Sequence, residues 1–370
     1  MKKHSKIAII IGTKAELIKC MPIMKELEKK GKDYWFIHTG QHPMGPACLE
    51  FKIKKPDFIL SPEPTISTKF WSKISRVAFI WNIEMILKIR RLLKKLKPKY
   101  VIYHGDTMST SSAAIGSSVA LNPKKTWKNV HLEAGLRSGS TWEPFPEEIS
   151  RRISDKYSDI LLAVSDLTEK ILKKSYKNKK IIKTGNTIVD SSDMIYKISK
   201  KTMKKIKGQY ALINLHRHEN LRSKKRMHQI AEVIKSIGIK AVWPLHDNTE
   251  YYLKKYNLMN ELKGIKNLEI IPLVDYFTFI FLLANCKYLI TDGGSIQEES
   301  LVFKKPCVLL RKKTERPEGL KSGFNFLTGM DVNNTKKLIK KIEANKIKVK
   351  KFKNPYGEVG LTKKIIDILK

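Results

Sequence analysis

The feature that most constrains the fold is an alternation between short apolar runs and longer amphipathic segments. In the first half of the chain, six apolar runs are separated by stretches whose apolar residues recur at helical spacing. Strands that alternate with helices pack as a parallel sheet with helices on its faces. The six runs are KIAIII, YWFIH, YVIYHGD, VHLEA, DILLAVS and KIIKTGN.

The same alternation restarts after TGNTIVDSSDMIYKI, with the runs YALINLH, KAVWPLH, NLEIIPL, KYLITDGG and PCVLLR. A length of 370 residues suits two domains, since domains commonly have roughly 100–200 residues. We predict two Rossmann-like, doubly wound α/β domains that face a cleft. They cover residues 1–186 and 187–370, and the last helix packs back toward the N-terminal domain.

Charge and cysteine content limit the classes of protein to which the chain is expected to belong. The chain has 73 Lys and Arg against 35 Asp and Glu, a formal charge of +38. The basic residues are dispersed and accompany no recognised nucleic-acid motif, so a general composition bias is favoured over nucleic-acid binding. The four cysteines have no CxxC spacing, which indicates reduced thiols. The first apolar run is too short for a signal peptide, which predicts a cytoplasmic protein.

Residues 69–96 are the one stretch with a membrane-like pattern. Charged residues interrupt its apolar face, namely Lys73, Arg76, Glu84 and Lys88. A bilayer span needs about 20 predominantly apolar residues, so we predict no membrane span here. A core-packing or subunit-interface helix is favoured, and peripheral membrane attachment is the alternative.

Polar motifs follow the predicted strands of both halves. In open α/β sheets the ligand lies beyond the carboxyl ends of the strands, so we expect these motifs to converge on one cleft. They are Gly12-Thr13, His38 to His42, His104-Gly105-Asp106, Glu133, His216 to Glu219, His246 and Asp292 to Ser295.

The stretch ITDGGSIQEES places two glycines and a serine between a strand and a helix. Backbone N–H groups in such a turn suit a phosphate, and the following carboxylates suit ribose hydroxyls. A nucleotide diphosphate would explain both features, although a simple tight turn explains the glycines equally well. In HRHEN, His216, Arg217 and His218 form a group that suits an anion.

Carboxylates gather at the strand ends of the first half. Asp106 follows a strand, Glu133 ends one, and Glu147 and Glu148 open a helix after Pro146. Taken singly, these acids are explained as helix caps or as charges that favour a helix dipole. Together, Asp106, Glu133 and Glu147 suit proton transfer. We predict that a loop with Gly139 and two prolines brings Glu147 to the strand ends, and that Glu148 points elsewhere.

The ordered set of motifs resembles the non-hydrolysing UDP-N-acetylglucosamine 2-epimerases, a family with the two-domain glycosyltransferase-B-like architecture. The chain departs from the family pattern with Lys14-Ala15 in place of Arg-Pro, with His218 in place of Arg, and with GGS in place of SGG. The motifs are GTKAELIKCMP, HTGQH, HGDT, HLEAGLRSG, PFPEEISRR, GNTIVD, HRHEN, TDGGSIQEES and RKKTERPEGLKSG.

The resemblance implies that UDP-GlcNAc and UDP-ManNAc are interconverted through elimination of UDP to a 2-acetamidoglucal, with no metal or other cofactor. We also expect a homodimer that serves polysaccharide biosynthesis. Three alternatives stay open: a hydrolysing relative, an epimerase of a modified UDP-N-acetylhexosamine and a UDP-sugar glycosyltransferase. The implied catalytic residues are Asp106, Glu133, Glu147 and His216, and the implied substrate-binding residues are Lys14, Lys19, Arg137, His246, Gly294, Ser295, Glu299 and Arg316.

Overall fold

The structure is a computed structural model that describes residues 7–63, 76–138, 146–347 and 352–369. The chain divides into two compact units. Unit 1 comprises residues 1–191 and 356–370, and unit 2 comprises residues 192–355. The sequence placed the division after residue 186. Gly139 and Pro144, which were assigned to the loop before Glu147, lie outside the described residues.

Unit 1 contains a parallel sheet of seven strands in the order β3-β2-β1-β4-β5-β6-β7. Strands β1 and β6 are apolar and buried along their whole length, because helices cover both faces of such a sheet. The strands are β1 (Ile7–Ile11), β2 (Tyr34–His38), β3 (Phe58–Ile59), β4 (Tyr100–His104), β5 (Lys128–Ala134), β6 (Ile160–Ala163) and β7 (Lys180–Lys183).

The helices of unit 1 include the last helix of the chain. Asp190 accepts hydrogen bonds at the start of that helix, from the backbone N–H groups of Gly360 and Thr362 at 2.5 and 2.8 Å. The helices are α1 (Lys14–Lys29), α2 (Gly45–Glu50), α3 (Arg76–Leu96), α4 (Met108–Ser117), α5 (Glu147–Tyr157), α6 (Asp166–Ser175), α7 (Ile188–Thr202), which continues into unit 2, and α16 (Leu361–Ile368). Helix α16 packs on α1.

Unit 2 contains a parallel sheet of six strands in the order β10-β9-β8-β11-β12-β13. Trp243 and Tyr288 are fully buried in its core. The strands are β8 (Tyr210–Asn214), β9 (Lys240–Leu245), β10 (Leu268–Pro272), β11 (Tyr288–Thr291), β12 (Cys307–Leu309) and β13 (Asn325–Leu327). The helices are α8 (His218–Leu221), α9 (Lys224–Lys235), α10 (Asp247–Lys255), α11 (Met259–Lys263), α12 (Tyr276–Asn285), α13 (Ile296–Val302), α14 (Pro317–Leu320) and α15 (Val332–Glu343).

The structure confirms two parallel α/β sheets and a strand at each of the eleven apolar runs. The sequence missed β3 and β13, which have two and three residues and lie at the edges of their sheets. Strands this short cannot be recognised from an alternation of apolar and polar residues. A strand at the edge of a sheet also does not require a continuous apolar run.

The strand order creates a topological switch point in each unit, where successive crossover connections leave in opposite directions. It lies between β1 and β4 in unit 1 and between β8 and β11 in unit 2. Ligands of open α/β sheets bind outside the carboxyl ends of the strands at such a point. Asp106 follows β4, and the Gly293–Ser295 turn follows β11, so each switch point carries one of the predicted polar motifs.

Helix α3 forms the described part of the membrane-like stretch. Its inner face buries Met85, Ile89 and Leu93, while Phe79 and Ile80 on its outer face are 69% and 60% exposed. Among the residues that the structure describes, no helix is long and apolar enough to cross a membrane.

Candidate active site

Glu133 has the most unusual backbone of the predicted site residues in unit 1. Its φ angle is +64°, a left-handed conformation that is uncommon for any residue with a Cβ. The pairing of β5 with β6 shifts register between Leu132 and Ala134, so Glu133 lies in a bulge. Bulges of this kind re-aim a side chain, and strained backbone of this kind concentrates at functional sites.

The Glu133 carboxylate is buried and held by two donors. Its Oε2 atom lies 2.5 Å from Lys19 Nζ and 2.8 Å from Asn186 Nδ2. Its side chain is 4% exposed. The sequence predicted Lys19 but not Asn186, although the GNT motif that contains Asn186 was recognised. The structure therefore brings Lys19 and Glu133 together across 114 positions of the chain.

Asp106 lies in the turn between β4 and α4. Gly105 has a φ angle of +79°, and a Cβ atom at Gly105 would lie 3.9 Å from Glu133 Oε1. The Gly105 backbone, one residue before Asp106, thus lies beside the Glu133 carboxylate. The Arg151 guanidinium pairs with Asp106 Oδ2. Arg151 lies on α5, one turn after Glu147, and was not predicted as a site residue.

Glu147 and Glu148 begin α5 after Pro146, as the sequence predicted. Their environments differ. Glu147 is partly exposed, whereas Glu148 is fully buried. Glu148 accepts a hydrogen bond from the Ser138 backbone N–H at 3.1 Å and pairs with Arg152 Nε at 3.1 Å. These contacts give Glu148 a structural role.

A second buried carboxylate, Glu16, organises the switch point of unit 1. One of its oxygens accepts from the backbone N–H groups of Gly12 and Thr13, and the other accepts from the hydroxyls of Thr107 and Thr110. Burial raises the pKa of Glu16 and outweighs these hydrogen bonds, which favour the carboxylate. Glu16 thereby joins the starts of α1 and α4, with Asp106 directly before the latter. The sequence gave Glu16 no role, although its position three residues after Thr13 is the signature of a capping box.

Like Lys19, the other two predicted binding residues in unit 1 already have carboxylate partners. Arg137 Nη2 lies 2.7 Å from Asp155 Oδ2, and Asp155 is fully buried. Lys14 Nζ lies 2.6 Å from Glu50 Oε2, and its side chain is 43% exposed. Arg137 therefore holds the segment after β5, while Lys14 has the greater freedom to move toward a ligand.

In unit 2, the Gly293–Ser295 turn lies beside two potentially cationic side chains. A Cβ atom at Gly294 would lie 3.2 Å from Arg316 Nη1, and one at Gly293 would lie 3.6 Å from His216 Cε1. Arg316 itself is 4% exposed and pairs with Glu298 at 3.0 Å. The absence of side chains at these two glycines lets the guanidinium and the imidazole approach the turn.

Asp292 fixes the loop that carries His216. Its buried carboxylate accepts from the backbone N–H groups of His216 and Arg217 at 3.0 and 3.1 Å, and from Asn220 Nδ2 at 2.9 Å. The sequence grouped Asp292 with the ligand-binding motif. The structure shows instead that its oxygens face the protein's own backbone.

His216 and His246 form a pair of rings whose centroids are 4.8 Å apart. Burial lowers the pKa of the His216 imidazole, and the Asp292 carboxylate only partly offsets this effect. Burial, followed by the nearby His216, also lowers the pKa of His246. Both rings are therefore neutral near pH 7 in the unliganded protein, so Arg217 and Arg316 supply the permanent positive charge.

Glu299 lies on α13, the helix that begins after Ser295, and is 5% exposed. Its Oε1 atom accepts from the Tyr276 hydroxyl at 2.5 Å. Burial, followed by the adjacent Glu299 charge, raises the pKa of Tyr276 well above its usual value. Tyr276 thus remains a hydrogen-bond donor that orients Glu299.

The two sheets with their switch-point motifs define a doubly wound α/β protein with polar motifs at the carboxyl ends of its strands. The family model described as UDP-N-acetylglucosamine 2-epimerase matches residues 25–370. A protein from Methanocaldococcus jannaschii named UDP-N-acetylglucosamine 2-epimerase is 34% identical over 379 residues, covering 98% of each chain. The chain therefore belongs to the UDP-N-acetylglucosamine 2-epimerase family.

Solved structures agree with this assignment. The UDP-GlcNAc 2-epimerase of M. jannaschii in complex with UDP-GlcNAc and UDP aligns with a TM-score of 0.80 and 33% identity, covering 98% of this chain and 99% of the other. A kitacinnamycin glycosyltransferase aligns with a TM-score of 0.54 at 11% identity over 91% of this chain and 93% of the other. The latter likeness concerns the fold alone and supports the glycosyltransferase-B-like class.

Proposed function

We propose that this protein interconverts UDP-GlcNAc and UDP-ManNAc. Membership in the epimerase family and the relative solved with UDP-GlcNAc and UDP support this function. The single observation that carries the chemistry is the strained, buried Glu133, which Lys19 and Asn186 hold at a strand end beside Gly105, the residue before Asp106.

The chemistry proposed is an elimination followed by an addition. The C2 proton of the sugar has no adjacent carbonyl to acidify it, so simple enolisation is unfavourable. A base instead takes the C2 proton, the C2–H electron pair forms the C1=C2 double bond, and the C1–O pair leaves with UDP. UDP oxygen then adds back to C1 of the 2-acetamidoglucal, and C2 receives a proton on the opposite face.

Unit 1 supplies the proton-transfer groups in this proposal. Asp106, Glu133 and Glu147 are the acid/base carboxylates, and each positioned group contributes about 10²–10⁴ in rate. Arg151 holds Asp106 through an ion pair, and Lys19 holds Glu133. Removal of a proton from one face and delivery to the other requires two groups at different positions, which a set of three carboxylates provides.

Unit 2 supplies the nucleotide-binding groups. We assign the diphosphate to the Gly293–Ser295 turn together with Arg316 and His216, because preorganised donors and cations stabilise the charge that develops on a leaving group. Glu299, oriented by the Tyr276 hydroxyl, is assigned to the ribose hydroxyls. An approaching diphosphate would favour the protonated form of His216, so this imidazole becomes cationic only with substrate.

We propose that the protein is a homodimer that acts in the cytoplasm and provides UDP-ManNAc for polysaccharide biosynthesis. The exposed outer face of α3 supports the dimer, since Phe79, Ile80, Ile83 and Leu87 are 69%, 60%, 45% and 40% exposed. These positions follow helical spacing, and a contiguous apolar stripe of this kind marks an interface. Sedimentation of the wild type and of Ile83→Lys tests this assignment, which predicts a dimer and a monomer respectively.

Product analysis tests the proposed activity. Purified protein incubated with UDP-GlcNAc should yield an equilibrium mixture with UDP-ManNAc, and starting from UDP-ManNAc should give the same mixture. Free ManNAc with UDP in equal amounts would indicate the hydrolysing reaction instead. Conversion only after a sugar acceptor is added would indicate a glycosyltransferase. No turnover of UDP-GlcNAc combined with turnover of a modified UDP-N-acetylhexosamine would move the substrate assignment to that sugar.

A further inference from the structure

His131 on β5 is a fully buried side chain to which the proposed chemistry assigns no role. Its Nδ1 atom lies 2.8 Å from Asp155 Oδ1, and its Nε2 atom lies 2.8 Å from the carbonyl oxygen of Gly105. The ring therefore joins α5 to the turn that carries Asp106. We propose that His131 is a positioning residue for Asp106, held as an imidazolium by Asp155; this inference rests on the epimerase function proposed above.

The protonation state follows from the two partners. A carboxylate oxygen and a backbone carbonyl oxygen are both acceptors, and a neutral imidazole carries only one N–H group. A neutral ring would direct a nitrogen lone pair at one of these oxygens in a site without solvent. Both 2.8 Å contacts are hydrogen bonds only when each ring nitrogen carries a proton.

The Asp155 carboxylate is suited to stabilise the positive charge of the His131 ring. It is fully buried, and Arg137 binds its second oxygen at 2.7 Å. Burial by itself would raise the pKa of Asp155, but hydrogen bonding and charge from His131 and Arg137 outweigh burial and lower it. Asp155 is therefore ionised at neutral pH, and its single negative charge faces two cations.

The other charged and titratable groups around this pair come from several elements. The Tyr103 ring on β4 lies 5.8 Å from the His131 ring, and its hydroxyl is paired with Ser158. Lys179 Nζ lies 3.0 Å from the carbonyl oxygen of Asp155. Burial, followed by the Asp155 charge, raises the pKa of Tyr176. Asp159 is a second carboxylate near Tyr103 and Lys179, and it pairs with Lys125 at 2.6 Å. Asp155 is the carboxylate that contacts His131 directly.

The link from His131 to Asp106 is a single peptide group. The Gly105 carbonyl and the Asp106 N–H belong to one planar unit, so the hydrogen bond from Nε2 fixes the plane from which the Asp106 side chain departs. The N–H of Gly105 is fixed independently, since it donates to Leu132 O at 3.1 Å. Gly105 has a φ angle of +79° and as a glycine could leave that conformation easily. His131 thus restrains the most mobile point before Asp106.

Histidine-labelled protein provides a direct test of the imidazolium. With His131 assigned in the wild type by backbone triple-resonance spectra, ¹⁵N spectra at about pH 8 should show two protonated ring nitrogens, although an ordinary histidine with a pKa of about 6.5 is then neutral. A ring nitrogen with the shift of an unprotonated imidazole would overturn the proposal. This measurement needs no substrate, so it remains decisive even if the protein fails to turn over UDP-GlcNAc.

Kinetics test the positioning role. Asp155→Asn removes the charge that holds the second proton, so kcat should fall about 10-fold or more with KM little changed, as expected for misalignment of a group that acts in the transition state. A kcat close to that of the wild type, or a loss that appears in KM instead, would reduce Asp155 to a structural role and overturn the proposal.

Matched variants separate positioning from folding. Tyr103→Phe removes a buried hydroxyl from the same cluster and should keep wild-type kcat. His131→Gln should lose kcat about as much as Asp155→Asn, and the double variant should lose no more than either. Additive losses would show that His131 and Asp155 do not act as one unit. If the His131 variant does not fold, the separate effects of Asp155→Asn on kcat and KM and the wild-type spectrum decide the question.

Discussion

The switch points of the two units share a strand order, and in each unit a buried carboxylate accepts from the backbone N–H groups that follow β1 or β8. They differ in the side chains at the neighbouring strand end. In unit 1, Glu16 Oε2 accepts from the backbone N–H groups of Gly12 and Thr13 at 2.7 and 2.9 Å, the donors at the start of α1. In unit 2, Asp292 accepts from the N–H groups of His216 and Arg217, which follow β8. The Gly293–Ser295 turn after β11 lies beside Arg316.

This difference indicates how one fold can serve two tasks. Backbone N–H groups at a strand-to-helix turn are the usual ligands of a phosphate in these folds. In each unit a carboxylate of the protein itself occupies the donors that follow β1 or β8. The neighbouring strand ends differ: in unit 1 they carry Asp106 and Glu133, whereas in unit 2 the turn after β11 lies beside Arg316 and His216. The fold alone therefore does not determine the ligand, and the side chains at the switch point do.

The largest expected effect comes from Glu133→Gln. The substitution keeps size and hydrogen bonding but removes the proton-transfer group, so kcat should fall by about 10²–10⁴. The affinity for UDP should stay close to that of the wild type, because the nucleotide is assigned to unit 2. Steady-state kinetics and calorimetric titration with UDP measure the two quantities.

The control for Glu133→Gln is Glu232→Gln, which changes a half-exposed carboxylate paired with Lys235 and Lys336 on unit 2. It should leave kcat unchanged. Loss of UDP affinity in Glu133→Gln equal to the loss of kcat would contradict the division of tasks between the two units.

The second prediction compares the adjacent carboxylates Glu147 and Glu148 on α5. Glu147→Gln should lower kcat by about 10² or more and change stability little, since Glu147 is partly exposed. Glu148→Gln should instead lower the free energy of unfolding by about 1–3 kcal/mol, because Glu148 is fully buried against Arg151 and Arg152.

Thermal unfolding and kcat, measured on both α5 variants, separate these outcomes. Equal losses of kcat, with both proteins folded, would mean that the acid/base role has been assigned to the wrong member of the pair. Wild-type kcat in both variants would leave the α5 carboxylates with structural roles only.

A smaller effect is expected from Gly294→Ala in unit 2. The added Cβ would lie 3.2 Å from Arg316 Nη1, a contact that requires the guanidinium to shift. The affinity for UDP should fall about 10-fold, or about 1.4 kcal/mol, and the reaction of bound substrate should slow less. Gly264→Ala is a control, because the nearest atom to a Cβ there is 3.4 Å away in the protein's own backbone and no predicted ligand group is involved. Unchanged UDP affinity in Gly294→Ala would remove the turn from the nucleotide site.

Much of the fold follows from the sequence because long, buried parallel strands must be apolar. The runs at β1, β4 and β8 show this directly, whereas β3 and β13 are too short to show it. The individual acids of the site and the strand ends that carry them could also be predicted from the sequence. The partners of those acids could not, because Asn186 and Arg151 reach Glu133 and Asp106 from 53 and 45 positions away. The shared role of Glu16 and Asp292 depends on which backbone groups they face, and a linear pattern does not contain this information.

The most direct test of the account is epimerisation in D₂O. Elimination breaks the C2–H bond, so the protein should convert UDP-GlcNAc to UDP-ManNAc with deuterium at C2 of the product, and the remaining substrate should acquire deuterium as the reaction reverses. Proton NMR and mass spectrometry of both epimers measure this incorporation. UDP-ManNAc that retains the original C2 proton would contradict proton transfer by the carboxylates of unit 1.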